Sequence, residues 1–250
     1  MALCLKLEVV MRQIKGVTVS GLLIMACMLA SPPLLADDQW DDDWVIVHEQ
    51  DPWESWNRKV FGFNETMDRW VLKPVAKGYR TVTPKPVRRS VRNVLRNWGE
   101  GRNLANNLLQ GKVTDAGVDV SRFLFNSTFG LLGVFDVATK MGLQGNNEDF
   151  GQTLGKWGVK SGPYVVLPLL GPSTLRDAPA MIPDTYTTVY PYISNHHVRY
   201  GVAGVQIVSI RESLLDTEKL MGGDKYSFIR NAYLQNREYR VNDGNVEDDF

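Results

Sequence analysis

Residues 122 to 138, RFLFNSTFGLLGVFDVA, are the most restrictive stretch of this 250-residue chain. They are too apolar for an ordinary surface segment. They are also too short, and too broken by glycine, to cross a bilayer, which takes roughly 20 continuous apolar residues. Asn126, Ser127 and Thr128 sit near the middle, and Gly130 and Gly133 interrupt the second half. The stretch reads as two short apolar helices joined at a polar, glycine-containing bend. Such a hairpin either hides in a core or enters a membrane from one side. Apolar runs in globular proteins are usually core, so a buried hairpin is the plainer reading when the stretch is taken alone.

The chain is long enough for one domain with a real core. Its 28 basic and 28 acidic residues cancel, so no nucleic-acid partner follows from the total. The two cysteines, Cys4 and Cys27, both lie near the N-terminus. This excludes a disulfide framework and a cysteine nucleophile in the remainder. Residues 1–36 read as an export signal and processing region, with Met1 or Met11 as the start. Arg12 and Lys15 supply the positive end, and Val17 to Ala30 supply the apolar run. Two outcomes compete. Ile24-Met25-Ala26-Cys27 approximates a lipobox, with Cys27 as the lipidated N-terminus. Cleavage after Ala36 would instead leave Asp37 first. Residues 37–50 follow as an acidic tether, since like charges this dense keep a segment extended.

Residues 51–241 read as one helical domain, and 242–250 as a polar, acidic tail. Asp51 and Pro52 open the first helix as N-cap and first helical residue. Trp53, Trp56, Val60, Phe63, Met67 and Trp70 share one face of it. Pro74 ends or kinks that helix. A basic stretch from Lys73 to Arg102 follows. There Val87, Val91, Val94, Leu95 and Trp98 mark a buried side, and Arg88, Arg89, Arg92 and Arg96 mark the opposite one. The arginines are either a solvated face or a contact for anionic headgroups or an acidic partner. Residues 99–111 read as a separate short helical piece. The helix leading into 122–138 carries Val113, Ala116, Val120, Phe123 and Leu124 on its apolar side. Glycines and prolines between Asp149 and Asp177 predict a loop or a small β-hairpin, and 179–197 reads as irregular. Two further helices cover 200–220 and 225–240, the second capped by Asp224.

Chemistry for catalysis is missing. The three histidines are His48, His196 and His197, without metal-ligand spacing. Gly171-Pro172-Ser173-Thr174-Leu175 lacks the second glycine of a nucleophile elbow. Hence no enzyme, metal or cofactor is expected.

Asp51-Pro52-Trp53-Glu54-Ser55-Trp56-Asn57-Arg58, followed by Phe61-Gly62-Phe63-Asn64, resembles the opening motif of the MlaA/VacJ outer-membrane lipoproteins. Further matches follow in order, among them Lys73-Pro74-Val75-Ala76, Phe150-Gly151-Gln152-Thr153-Leu154-Gly155, Leu175-Arg176-Asp177 and Arg230-Asn231-Ala232-Tyr233-Leu234-Gln235. Together they cover nearly all of 51–237. The resemblance implies a mainly α fold, a single-domain ring of amphipathic helices embedded in one membrane leaflet. An amphipathic channel would run through it. It implies removal of misplaced phospholipid from the outer leaflet, delivery to a soluble periplasmic carrier similar to MlaC, and association with a trimeric porin. A porin-associated scaffold without transport activity is the alternative. Within this frame Asn126, Phe129, Gly130, Gly133, Phe135 and Asp136 are the candidate channel or lid residues, and 122–138 moves from core to leaflet. Leu132 stands where relatives tend to carry a further glycine, which predicts a stiffer bend. If the lipobox is used, mass spectrometry of the mature protein will show a diacylated Cys27; a free Asp37 would establish cleavage after Ala36.

Overall fold

Asp51 accepts the Trp53 N–H at 3.0 Å, and the first helix, α1 (Glu54–Met67), starts three residues after it. The chain is described here by a computed structural model over residues 51–220 and 223–245. The expected signal, Cys27, the Ala36 site, His48 and the acidic tether lie outside the described residues, as does the tail beyond 245. Proline at 74 does not end the helix. A π-helical turn, Asp68–Leu72, absorbs its missing N–H, and α2 (Lys73–Val82) continues with the proline in its first turn.

Pro84 starts α3 (Lys85–Leu109), which runs unbroken through the stretch expected to hold a separate helical piece. Gly101 lies within it because a Cβ there would stand 2.9 Å from the Thr187 carbonyl oxygen. Gly111, at φ 77°, takes the left-handed position that ends α3 and turns the chain back into α4 (Val113–Thr128). Asn126, Ser127 and Thr128 therefore belong to the last turn of α4 and do not form the bend. The bend is residues 129–136, where Leu131, Leu132 and Gly133 all have positive φ. The second helix of the expected hairpin shrinks to α5 (Val137–Lys140).

Next come α6 (Phe150–Lys156), a hairpin of β1 (Tyr164–Leu167) and β2 (Gly171–Thr174), and α7 (Asp177–Tyr186). The hairpin matches its sequence signal, with Tyr164 opposite Thr174 and Leu167 opposite Gly171. The two flanking helices were not legible. Glycines and prolines obscured α6 and α7, and Asp149 rescues α6 as an N-cap, accepting the Gln152 N–H at 3.0 Å. A 3-10 turn, Tyr190–Tyr192, leads into α8 (His196–Leu214), and α9 (Lys225–Val241) closes the described chain behind its Asp224 cap.

Contacts between elements form a closed circuit. Helix α1 packs on β1, β2 on α9, α9 on α6, α6 on α3, α3 on α8, and α8 on α2, which returns to α1. The result is a ring of mainly helical elements. One side is anchored by a small apolar cluster of Val60, Tyr164, Val166 and Tyr226. The hairpin is held to α1 by two asparagines of the opening motif. Asn57 donates to the Tyr164 carbonyl (3.0 Å) and accepts from the Val166 N–H (2.8 Å); Asn64 does the same to Leu167 (2.9 Å) and Leu169 (2.8 Å). Spaced seven apart on one helix face, they stand in for a missing strand along the open edge of β1.

Among the described residues, nine apolar and twenty-one polar or charged side chains are buried, so the interior is not an apolar core. Much of the apolar surface read from the sequence points outward, although Val60 and Ala116 are buried. Trp56, Phe63, Trp70, Val113, Phe123, Leu124, Ile207 and Ile210 are all exposed, while Asn57, Asp119, Arg122, Ser209 and Glu212 are buried. Among the described residues no helix is long and apolar enough to cross a membrane.

Arg237 bolts α9 to α6 and α7. It donates twice to Asp149, both bonds 2.6 Å, and once to Asp177 at 3.0 Å. Burial raises the Asp149 carboxyl, but Arg237 more than offsets this and holds it far below the usual carboxylate range. Arg237→Ala would leave half-buried Asp149 without its cation and buried Asp177 with Arg176 alone. It should cost about 3–5 kcal/mol in denaturant unfolding; a loss under about 1 kcal/mol would mean that the cluster is not a structural bolt.

Candidate functional site

Helices α3, α4, α5 and α8, with the 144–147 loop, line a cavity of about 630 Å³. Apolar Leu95, Trp98 and Ile210 line it together with polar Asn103, Gln206 and Ser209. Arg92, Arg96, Arg102 and Arg122 also reach it, against a single carboxylate, Asp136. On α3, Val87 is exposed and Val91 and Val94 are half-buried, while Leu95 and Trp98 of the same stripe line the cavity beside the arginines.

These charges are matched to different degrees. Arg122 is 1% exposed. Its Nε donates to Glu100 at 2.8 Å, and its Nη1 donates to the Thr139 hydroxyl (3.0 Å) and the Leu143 carbonyl (2.6 Å). Glu212 of α8, also buried, accepts from Arg92 at 3.1 Å and lies 3.0 Å from Arg88. The arginines expected on an outward face are thus directed inward at 88 and 92, where Glu212 faces them. Asp136 caps α5, accepting the Thr139 N–H (3.1 Å) and hydroxyl (2.8 Å). Desolvation raises its carboxyl, but the Thr139 bonds and Arg122 prevail and leave it below the ordinary carboxylate range.

Of the residues selected from sequence, Asp136 lines this cavity. Asn126 is buried behind it, donating to Asp136 at 3.3 Å and accepting the Ala138 N–H at 2.9 Å. Gly130 and Gly133 shape the bend. A Cβ at 130 would fall on the carbonyl oxygens of Phe135 and Asn126. Gly133, at φ 91°, would place one 2.8 Å from Asn97 Cβ. Phe129 and Phe135 are exposed and do not line the cavity. Leu132 sits at φ 56°, a conformation that favours glycine. The sequence reading missed Arg102, Gln206 and Ser209 as cavity residues. A signal existed: asparagines at 93, 97, 103, 106 and 107 recur at helical spacing on α3, opposite Asp119, Arg122 and Asn126 on α4.

Ser173 is fully buried in β2 and offers no accessible nucleophile. Among the described residues no group of three His, Cys, Asp or Glu side chains is placed to hold a metal ion.

The fold is thus a mainly helical ring with exposed apolar faces and a basic, polar cavity. Comparison with known proteins gives the family. The profile of the MlaA lipoprotein family matches residues 49–240, and the chain belongs to that family. It is 32% identical over 230 residues to the intermembrane phospholipid transport system lipoprotein MlaA of Haemophilus influenzae, covering 89% of this chain and 92% of that protein. It is also 32% identical to the Escherichia coli K12 protein of the same name, covering 79% and 80%. A solved structure, reported as the structural basis for maintenance of bacterial outer membrane lipid asymmetry, superposes with a TM-score of 0.69 at 33% identity. That match covers 77% of this chain and 99% of the other.

Asp119 gives this interior a measurable pH signature. It is fully buried, with one hydrogen bond from Asn107 at 2.7 Å. Burial pushes its carboxyl up to about 6; the Asn107 bond and Arg122 oppose this, while Glu100 and Asp115 add to it. A raised carboxyl disfavours the charged form in the fold, so its contribution to stability falls as pH rises from about 4 to about 6 and is flat above. Moving from pH 7 to pH 5 should therefore stabilise the protein by about 1 kcal/mol at this site. Asp119→Asn should flatten that part of the profile in denaturant titrations at the two pH values.

Proposed function

We propose that this chain is a non-enzymatic phospholipid transport protein of the outer membrane. It sits in the periplasmic leaflet, takes mislocalised phospholipid from the outer leaflet through its ring, and passes it to a soluble periplasmic carrier similar to MlaC, beside a trimeric porin. The observation that carries this reading is the inversion of polarity. Exposed Trp56, Phe63, Trp70, Leu131 and Leu132 surround an interior of asparagine, arginine and carboxylate. Apolar surface of this kind holds a protein in an interface through buried area. Helices whose backbone groups are satisfied internally tolerate that setting without spanning it. A phospholipid needs both halves of the arrangement: a polar path for its head and apolar surroundings for its chains. The cavity is of ordinary ligand size, within the range of roughly 300–1,000 Å³. It suits a headgroup, with the acyl chains left to the apolar exterior. The names carried by the H. influenzae and E. coli relatives point the same way.

Asn126, Gly130, Gly133 and Asp136 then act as the frame of the cavity wall at the bend, and the exposed Phe129 and Phe135 meet lipid. Lipidation at Cys27 would add an anchor to a protein already held by its exterior. A pure porin scaffold is the competing account, and cells separate the two. Loss of the gene should raise surface-exposed phospholipid and detergent sensitivity, and wild type should restore both. Asp136→Ala should fail to restore them while still co-purifying with porin. Full rescue by Asp136→Ala would favour the scaffold, and unchanged asymmetry after gene loss would remove the transport reading altogether.

A further inference from the structure

We propose that the cavity reads the phosphate of the lipid headgroup, with Arg96 and Arg102 of α3 and Ser209 of α8 as its specificity-determining residues. This rests on the cavity being the lipid passage and names what in the lipid is recognised. The four cavity arginines are not equivalent. Arg122 is bonded to Glu100, Thr139 and Leu143, and Arg92 donates to Glu212, which it shares with Arg88 and Arg80. Arg96 has a largely exposed side chain whose nearest acid is Asp136, 3.7 Å away. That acid is already taken up by Thr139 and Asn126. Arg102 donates through Nη2 to the neutral Asn147 amide oxygen at 2.5 Å, and its buried Nε has no acceptor. Ser209, 1% exposed, lines the same cavity with its hydroxyl unpartnered.

Two guanidinium groups with no carboxylate at hydrogen-bond distance thus line one space, and the orphan Ser209 hydroxyl and Arg102 Nε lie buried in its wall. An unpaired buried donor is costly, so the arrangement calls for an anion rich in acceptor oxygens. A phosphodiester is such an anion, and arginine binds phosphate through charge-assisted, often bidentate pairs. Arg96 and Arg102 are six positions apart on α3, about 9 Å along the axis and roughly 120° around it, and both line the cavity. The ammonium of a zwitterionic head gains nothing comparable, because Asp136 is the one carboxylate on the wall and its oxygens are engaged. The cavity should therefore bind phosphatidylglycerol at least as well as phosphatidylethanolamine, and both far better than diacylglycerol.

Native mass spectrometry of the detergent-solubilised full-length protein, offered the three lipids in equal amounts, tests this. Wild type should retain the two phospholipids over diacylglycerol by about tenfold or more. Arg96→Gln and Arg102→Gln should each lower that preference about tenfold, the scale of one hydrogen bond to a charged group. Arg102→Lys should recover part of it, and Ser209→Ala should reduce it a few-fold. Because Arg96 is exposed and touches no buried group, Arg96→Gln decides the matter even if an Arg102 variant fails to fold. Unchanged preference in Arg96→Gln would overturn the phosphate assignment while leaving the lipid passage intact. Wild type that retains none of the three lipids would overturn both.

Discussion

Arg122 is the interaction on which the interior depends. It is a buried cation on α4 that ties Glu100 of α3, Thr139 of α5 and the Leu143 carbonyl into one unit. Removing a charge like this from water is costly, and the cost is offset only when each donor finds an acceptor. The surrounding sequence supplies them. Gly145 lies against the guanidinium, where a Cβ would stand 3.0 Å from Arg122 Cζ, and Asp136 lies 3.6 Å from Nη2. A protein whose centre is built this way must satisfy a network rather than fill a volume. The asparagines of α3 extend that network, with Asn103 reaching Glu100 and Asn106 reaching Asp184. Networks of this kind are high-stakes, since one missing partner leaves a desolvated group behind.

The polar interior dictates the exterior. Helices that spend their polar face inward have only their apolar face left to turn out. The exposed leucines of the 129–136 bend and the tryptophans of α1 follow from the same rule as buried Asn57 and Arg122. In water such a surface would be a liability for association. In a leaflet, as proposed, it would be the means of attachment, and the cavity would be a protected polar space. The proposed transport role uses both consequences of one inversion. Phosphate recognition by Arg96 and Arg102 would give that space its chemical preference.

The 122–138 stretch shows how these layers meet. Its apolar residues face out from a bend held together by polar ones. Asn126 accepts from Ala138 and donates to Asp136, so the turn is closed from the inside by hydrogen bonds. Two glycines admit close backbone approaches there, and Leu131 and Leu132 take left-handed conformations that cost roughly 1–2 kcal/mol each. The polar Asn126-Ser127-Thr128 run, which the sequence suggests as the bend, instead completes the last turn of α4.

By itself the sequence determined the helical class, the amphipathic faces, the hairpin, the cap at Asp224, and membership of the family through its ordered motifs. These are local properties: periodicity, turn chemistry and residue identity at fixed offsets. Which side of each amphipathic face would be buried was not local. A stripe of Val113, Val120 and Leu124 looks the same whether it meets a core or a membrane, because periodicity records that two faces differ and not where each one points. Only the closed ring decided this, by setting Arg88 and Arg92 opposite Glu212 and Arg122 opposite Glu100. Those partners lie 22 to 124 residues apart in the chain, and no spacing rule connects them.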